Sequence, residues 1–312
     1  MLALVLEIGG SHASCAIACD RQLVAQQTIR VDKPNFLHML PALEKLVREV
    51  IRFSGVSIDQ CSGFVIGFPG IVDSSSGRVI ATNAKFNDAI EFDLSRWTKQ
   101  QFGLRCVLEN DCRLALLGEH FTGAAVGAQD VVLICLGTGI GAAAMINGRP
   151  LRGKYNQAGC LGGHFPVVFG GRACTCGNVG CAEAEASTWA LPQVCSDWPG
   201  FLDSGLASVP EIDFACLFAF ADRGDLVARE VLTRCNKIWS ALAVALIHAY
   251  SPEVLLFGGG VLARKEDILP SIREHVDRHA WYPRGTVQVK AASLGASAAL
   301  HGAVPLLREV LV

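Results

Sequence analysis

The chain has 312 residues and a formal net charge of −2, and 51% of its residues are hydrophobic against 18% that are charged. This composition predicts a globular protein with a large core and argues against a disordered chain. No basic block is present, which argues against binding to a nucleic-acid backbone or to an anionic membrane surface.

Targeting and redox features of the sequence predict a cytoplasmic protein. The chain starts on the apolar run 2–6 with no basic flank or small-residue cleavage site, which argues against a signal peptide. The most apolar run, residues 241–257, contains polar residues and a proline, so no membrane-spanning helix is expected. Most of the 13 cysteines lie in apolar strand patterns as small core residues, as is typical of a reducing compartment.

The first half of the chain begins with short strands. Apolar runs bounded by turn residues predict strands at 2–8, 13–19 and 22–30. Apolar residues at helical spacing then predict a helix at about 36–53. The pattern continues with a strand at 63–67, a strand near 104–109 and a helix at 112–124.

The second half of the chain repeats this design. A strand at 131–136 runs into the glycine turn 137–141 and a returning strand at 142–146. The pattern then predicts a helix at about 225–249, a strand at 253–257, a glycine turn at 258–260 and helices near 264–279 and 294–309. Two copies of strand, glycine turn and strand predict a duplicated α/β fold with a nucleotide in the cleft between the copies.

Three cysteines in eight residues follow a histidine by ten positions and indicate a metal site. The four residues are His164, Cys174, Cys176 and Cys181. Three thiolates and one imidazole supply a complete tetrahedral zinc shell, which leaves no open position for a reacting water, so a structural zinc is predicted. The alternative is that three small core cysteines lie near a histidine by chance.

Three glycine turns follow predicted strands, at residues 9–11, 137–141 and 258–260. Taken singly, the first is a common hairpin signal. The second lacks the helix that a dinucleotide fingerprint requires, and the chain has no Walker A lysine. Taken together, the three turns predict a nucleotide site in which backbone N–H groups bind phosphate.

These motifs resemble those of the ROK family (repressors, open reading frames and kinases) in the actin-like ATPase superfamily, and in particular its glucokinase-like and N-acetylmannosamine kinase-like members. Residues 6–11 are similar to the first phosphate motif, Asp-Ile-Gly-Gly-Thr, and residues 136–141 with 147–148 to the second. Asn110-Asp111 followed by residues 116–119 resembles the Asn-Asp-Ala motif with its Leu-Gly-Glu ending. The histidine and the three cysteines fall on the zinc ligands of the family. The resemblance covers nearly the whole chain.

The resemblance implies two actin-like, ribonuclease H-like α/β lobes with an ATP and sugar cleft between them. We expect one lobe over residues 1–120, with a C-terminal helix at about 291–312 packing back on it, and the other over 121–290. The implied activity is transfer of the ATP γ-phosphate to a hydroxyl, expected to be the 6-OH, of a hexose or N-acetylhexosamine. A homodimer is also implied.

The resemblance also implies roles for individual residues. Asp111 is the general base, and Asn110, His164 and Glu183 orient the sugar. One ring nitrogen of His164 would bind zinc while the other donates to the sugar. The residues expected to bind ATP with Mg²⁺ are Glu7, Gly9, Gly10, Ser11, Gly137, Thr138, Gly139, Gly258, Gly259 and Gly260.

The position of Asp111 allows a second interpretation. The residue lies where a predicted strand ends and a helix starts, and there it could accept the proton of a sugar hydroxyl. The alternative is a helix N-cap, a frequent role for aspartate at such a junction. In either role, the helix N-terminus is expected to lower the pKa of its carboxyl group.

Two residues depart from the family pattern. Glu7 replaces the aspartate of the first phosphate motif and is expected to disturb a water-mediated Mg²⁺ contact. Leu161 stands where the family has a sugar-contacting glutamate before the zinc histidine. Two alternatives to a kinase stay open: a sugar-sensing ROK regulator without its own DNA-binding domain, and a catalytically weak sugar-binding protein, which these two departures favour.

Overall fold

Two compact units make up the fold. The structure, a computed structural model, describes residues 1–83 and 85–311. Ala84 and Val312, the last residue of the predicted C-terminal helix, lie outside the described residues. Unit 1 comprises Met1–Gln129, Ala143–Cys160 and Ala292–Val312, and unit 2 comprises Asp130–Ala142 and Leu161–Ala291.

The described residues form α-helices and two larger sheets. The strands are β1 (Leu2–Ile8), β2 (His12–Cys19), β3 (Gln22–Arg30), β4 (Cys61–Phe68), β5 (Ile71–Asp73), β6 (Arg78–Ala81), β7 (Cys106–Asn110), β8 (Val131–Leu136), β9 (Ile140–Ile146), β10 (Arg149–Pro150), β11 (Val254–Gly258) and β12 (Gln288–Ala291). The helices are α1 (Phe36–Ser54), α2 (Leu94–Phe102), α3 (Asp111–Thr122), α4 (Ala182–Ala186), α5 (Leu191–Ser196), α6 (Phe214–Asp222), α7 (Leu226–Tyr250), α8 (Lys265–His279), α9 (Ala298–His301) and α10 (Ala303–Leu311).

The first sheet has the order β3-β2-β1-β4-β7. β1 pairs antiparallel with β2 and parallel with β4, and β4 pairs parallel with β7. The central strand β1 is buried along nearly all its length, which is typical of a parallel strand covered on both faces. The edge strand β3 instead alternates exposed and half-buried residues, so only one of its faces meets the core.

The second sheet has the order β10-β9-β8-β11-β12, and β11 pairs parallel with both β8 and β12. All five residues of β11 are buried. The long helix α7 contacts β8 and packs against α6 and α8 in unit 2. Its apolar positions recur at helical spacing, which places one stripe in the core and explains why this segment forms a helix.

The structure confirms the predicted two-lobed α/β fold with two five-stranded sheets, each containing parallel and antiparallel pairs. The helix predicted at 294–309 is wrong as a single element, because Gly302 separates α9 from α10. The hairpin of β5 and β6 and the helix α2 were not predicted. The division of the chain into domains at residues 120 and 290 stays a prediction. None of the helices in the described part of the chain is long and apolar enough to cross a membrane.

Helix α3 makes close backbone contact with the C-terminal segment of unit 1. A Cβ atom on Gly118 would lie 1.9 Å from the carbonyl oxygen of Ala298, and one on Gly302 would lie 2.0 Å from that of Leu114. Only glycine fits at two such positions, since real Cβ atoms do not approach backbone oxygen so closely. The Leu-Gly-Glu pattern seen in the sequence therefore has a packing role.

Gly118→Ala is expected to lower the free energy of unfolding by about 1–3 kcal/mol, because the added methyl group forces α3 away from α9. Gly137→Ala serves as the control, since a Cβ there would meet no atom within 4 Å. Urea unfolding of both variants measures the difference. Equal stability of the two variants would contradict the close approach.

Candidate active site and metal centre

Predicted site residues of unit 1 lie at the carboxyl ends of three parallel strands. Residue Gly67 of β4 is paired with Glu7 of β1 on one side and with Glu109 of β7 on the other. Asn110 ends β7, and Asp111 begins α3. In open α/β sheets this edge is where ligands bind. Glu7 and Asp111 therefore lie at the same edge of one sheet.

Asn110, not Asp111, is the N-cap of α3. The Asn110 Oδ1 atom accepts a hydrogen bond from the Arg113 amide at 3.1 Å. The Asn110 Nδ2 atom donates to Gly70 O at 3.1 Å and to Asp111 Oδ1 at 3.0 Å. The N-cap interpretation of Asp111 is therefore wrong. Asn110 has a structural role in addition to the sugar contact predicted for it.

Burial raises the pKa of both carboxyl groups at this edge. The pKa of Asp111 is raised to about 6 by desolvation, although hydrogen bonds from Cys112 and Asn110 lower it. The expected lowering by the helix N-terminus is wrong because desolvation outweighs the backbone N–H groups. The pKa of Glu7 is raised to about 8 by desolvation and by the negative charge of Asp111. Near pH 7, Asp111 is thus mostly ionised while Glu7 is mostly neutral.

The base role predicted for Asp111 implies that kcat/KM for a sugar substrate rises with pH through about 6, because only the ionised carboxylate accepts a proton and burial holds its pKa there. Below that pH, kcat/KM should fall by about tenfold per pH unit. A steady-state profile from pH 5 to 8 checks this prediction. A profile that is flat over this range would contradict a base role for Asp111.

A buried ionic network fixes the junction that carries Asp111. Glu109 Oε1 accepts from the Asn110 amide at 2.8 Å and from Arg113 Nη1 at 3.3 Å, and Glu109 Oε2 accepts from Arg152 Nε at 2.8 Å. The side chains of Glu109 and Arg113 are fully buried. Sequence reasoning missed this network, although an ion pair four residues apart at the end of an apolar strand was a visible signal.

Arg113 also ties the junction to a distant loop of unit 1. Its Nη2 atom donates to Asn156 O at 2.8 Å and to Ala158 O at 2.9 Å. Arg152 in turn pairs with Glu309 of α10 at 2.7 Å. The backbone around Asp111 is thus held by charged groups from three separate segments, and breaking a buried pair of this kind is costly.

The first glycine turn, Gly9 to Ser11, connects β1 and β2. Gly9 N donates to His12 O at 2.8 Å, and Val31 N donates to Ser11 O at 2.8 Å. The ammonium group of Lys85 donates to Gly10 O at 2.6 Å. Sequence reasoning did not identify Lys85, because 75 residues separate it from the turn.

The second and third glycine turns lie at one edge of the second sheet. β8 and β11 run parallel, with Gly258 paired to Cys135, so the turns 137–139 and 258–260 follow neighbouring strand ends. Gly137 O and Thr138 O accept from the amides of Thr188 and Trp189 at 3.1 and 3.0 Å. In unit 2 the structure therefore brings these two turns together.

Glu183 lies beside the second glycine turn. It belongs to the short helix α4, is buried, and its Oε2 atom accepts from Ile140 N at 2.9 Å. A Cβ atom on Gly139 would lie only 2.5 Å from that carboxylate oxygen. The predicted sugar ligand and the predicted ATP turn are thus close neighbours in unit 2. Leu161 directly precedes the 3-10 turn Gly162–His164, which carries the predicted metal histidine.

The four predicted metal ligands come together in unit 2. The Sγ atoms of the three cysteines and one ring nitrogen of His164 all lie within 4.8 Å of one another. His164 Nδ1 is 3.6 Å from Cys174 Sγ, and Cys176 Sγ is 3.7 Å from Cys181 Sγ. Ligand atoms about 2.3 Å from a tetrahedral ion are about 3.8 Å apart. The cluster therefore fits a structural zinc site.

Tight backbone turns shape this metal loop. Gly177 and Gly180 have φ of 90° and 74°, and a Cβ atom on Gly180 would lie 1.8 Å from Val168 O. Cys174 N donates to Asn178 O at 2.8 Å, which closes the loop between the first two cysteines and the third. The glycines permit a turn that L side chains rarely adopt.

The chain is similar to proteins of two kinds. It is 31% identical over 250 residues to a glucokinase of Thermotoga maritima, with 78% of each chain covered. It is 28% identical over 279 residues to a putative xylose repressor of a Caldicellulosiruptor species, which covers 86% of this chain and 68% of the repressor.

The fold is similar to that of a solved ROK family glucokinase from Streptomyces griseus in complex with glucose and AMPPNP. The TM-score is 0.83 at 28% identity, and the match covers 99% of this chain and 100% of the other. A family model described as the ROK family matches residues 3–310. A match over this length, together with the two-lobed fold and the His–Cys cluster, shows that the chain belongs to the ROK family.

Proposed function

We propose that the protein is an ATP-dependent sugar kinase that phosphorylates a hexose or an N-acetylhexosamine, at the 6-hydroxyl. The observation that carries the proposal is Asp111: a carboxylate that does not cap its helix, lies at the carboxyl edge of parallel strands and has a pKa near 6. Similarity to glucokinases, one of them solved with glucose and AMPPNP, supports the same activity.

In the proposed reaction the sugar hydroxyl attacks the γ-phosphorus and its proton passes to Asp111. The bond between the γ-phosphorus and the bridging oxygen of ATP breaks as the sugar–phosphate bond forms. A largely dissociative transition state requires the base only late, so a carboxylate with a pKa near 6 suffices. The backbone N–H groups of the three glycine turns bind the nucleotide without side-chain bulk.

Asn110, His164 and Glu183 are proposed to orient the sugar. His164 Nδ1 faces Cys174, so Nε2 remains as the ring nitrogen that would donate to a hydroxyl. Zinc would order the loop that carries this ring rather than take part in the chemistry. Glu7, in its ionised form, would hold the Mg²⁺ that accompanies ATP, and the ion would supply charge neutralisation to the phosphates. The homodimer implied by the family resemblance stays a prediction.

A sugar-responsive regulator is the second candidate, because the chain is 28% identical to a putative xylose repressor. A catalytically weak sugar-binding protein is the third, and Glu7 and Leu161 are the residues that favour it. Both of these candidates bind sugar, but the regulator forms no sugar phosphate and the weak binder forms little or none. ADP release with Mg²⁺-ATP across a panel of hexoses and N-acetylhexosamines separates them from the kinase. Sugar-dependent ADP release supports the proposal, and sugar binding by calorimetry without ADP release contradicts it.

A further inference from the structure

The ammonium group of Lys85 lies at the first glycine turn without a carboxylate partner. Its Nζ atom donates to Gly10 O at 2.6 Å. Within residues 1–83 and 85–311, no carboxylate oxygen lies within the 4.0 Å that defines an ion pair with this group. A neutral carbonyl uses one of the three N–H donors and leaves the positive charge uncompensated. The half-buried group thus has donors and charge available for an anion.

The residue that follows Lys85 is anchored by its packing and by a backbone hydrogen bond. This residue, Phe86, has φ of 62° and is 1% exposed, with its ring 6.0 Å from that of Phe68. Its amide donates to Pro34 O at 2.8 Å. A left-handed backbone is unfavourable for a bulky aromatic residue and is found where the surroundings enforce it, often next to functional sites. The packing of Phe86 therefore fixes the backbone next to Lys85, whose side chain reaches the turn.

The glycine turn next to Lys85 also adjoins the proposed base. A Cβ atom on Gly9 would lie 3.2 Å from Glu7 Oε1. The negative charge of Asp111 in turn contributes to the raised pKa of the Glu7 carboxyl group. A phosphate bound at this turn would therefore lie near the proposed proton acceptor. The negative charges of that phosphate and of Asp111 repel each other, so a nearby cation is needed to offset them.

We infer that Lys85 binds the terminal phosphate of ATP at the first glycine turn and offsets its charge during transfer. The inference rests on the proposed function, which assigns this turn to ATP. The hydroxyl proton passes to Asp111, so Lys85 takes no part in the proton transfer. It would fill the role of the phosphate-binding lysine of P-loop proteins, which this chain lacks at its glycine turns.

The test is titration calorimetry of AMPPNP, ADP and AMP against the wild type, Lys85→Met and Lys85→Arg. Lys85→Met is expected to weaken AMPPNP binding by about 10- to 100-fold, as for loss of a charge-assisted hydrogen bond, and AMP binding by less than about twofold. Lys85→Arg should retain most of the affinity. Lys99→Met is the matched control, because Lys99 Nζ also donates to a glycine carbonyl, that of Gly103, at 3.1 Å.

Each outcome decides the inference separately from the kinase activity. AMPPNP binding by Lys85→Met within twofold of the wild type overturns the inference, whether or not the protein phosphorylates a sugar. Equal weakening for all three nucleotides also overturns it, because this result indicates a disturbed loop. Suppose that Lys85→Met weakens AMPPNP binding selectively while the wild type phosphorylates no sugar. This result supports the phosphate-binding role of Lys85 and contradicts the proposed function. A wild type that binds no nucleotide overturns both.

Discussion

Asp111→Asn is expected to lower kcat by about 10²–10⁴-fold, the usual contribution of general base catalysis. Asparagine keeps the size of the side chain and an oxygen that can accept from Cys112 N, as Asp111 Oδ1 does at 2.8 Å. The substitution removes the basicity and the negative charge but keeps the shape of the side chain, so the sugar Kd should change much less than kcat. Steady-state kinetics with calorimetry of sugar binding measure both quantities.

A matched control for this variant is Asp93→Asn. Asp93 caps α2, and its side chain accepts from Arg96 N at 2.8 Å, so the substitution makes the same chemical change at the start of another helix. We expect near-native kcat for Asp93→Asn. Near-native kcat for Asp111→Asn would show that Asp111 is not the base, whatever the protein does with sugar.

Cys176→Ser is expected to remove most of the zinc from the protein and to lower its free energy of unfolding by several kcal/mol, because the binding energy of a structural zinc contributes directly to folding. Cys176 is exposed, so its replacement does not create a cavity in the core. The loop that it closes carries His164 and adjoins Glu183, and we therefore also expect weaker sugar binding. Elemental analysis, thermal unfolding and calorimetry measure the three effects.

Cys216→Ser is the control for this prediction, since Cys216 lies in unit 2 outside the metal cluster. It should keep one zinc per chain and near-native stability. Treatment of the wild type with a chelator should reproduce the Cys176→Ser phenotype. A wild type purified without chelator that contains no zinc would contradict the assignment of the cluster.

The sequence predicted the features that depend on short stretches of chain. The glycine turns, the strands that precede them and the four ligands of the metal cluster were visible because each depends on residue types at close spacing. The resemblance of these motifs to the ROK family added the two-lobed fold. The local motifs and the family resemblance both agree with the structure, because the local sequence pattern and the global fold are consistent with each other.

The sequence did not predict features set by burial and long-range contact. Asn110 rather than Asp111 caps α3. Both residue types are common N-caps, and only the geometry of the junction shows which of the two adjacent residues has this role. The pKa of Asp111 is raised rather than lowered because desolvation depends on tertiary packing. The contact of Lys85 with Gly10 joins segments that no local pattern connects.

The most direct test of sugar kinase activity is phosphorus NMR of the wild type with Mg²⁺-ATP and the sugar that it prefers. For a sugar kinase we expect the γ-phosphate signal to decay while a phosphomonoester signal grows in equal amount, coupled to the two protons on carbon 6 of the sugar. Loss of the γ-phosphate to inorganic phosphate alone, or an unchanged ATP spectrum with sugar bound, would contradict it.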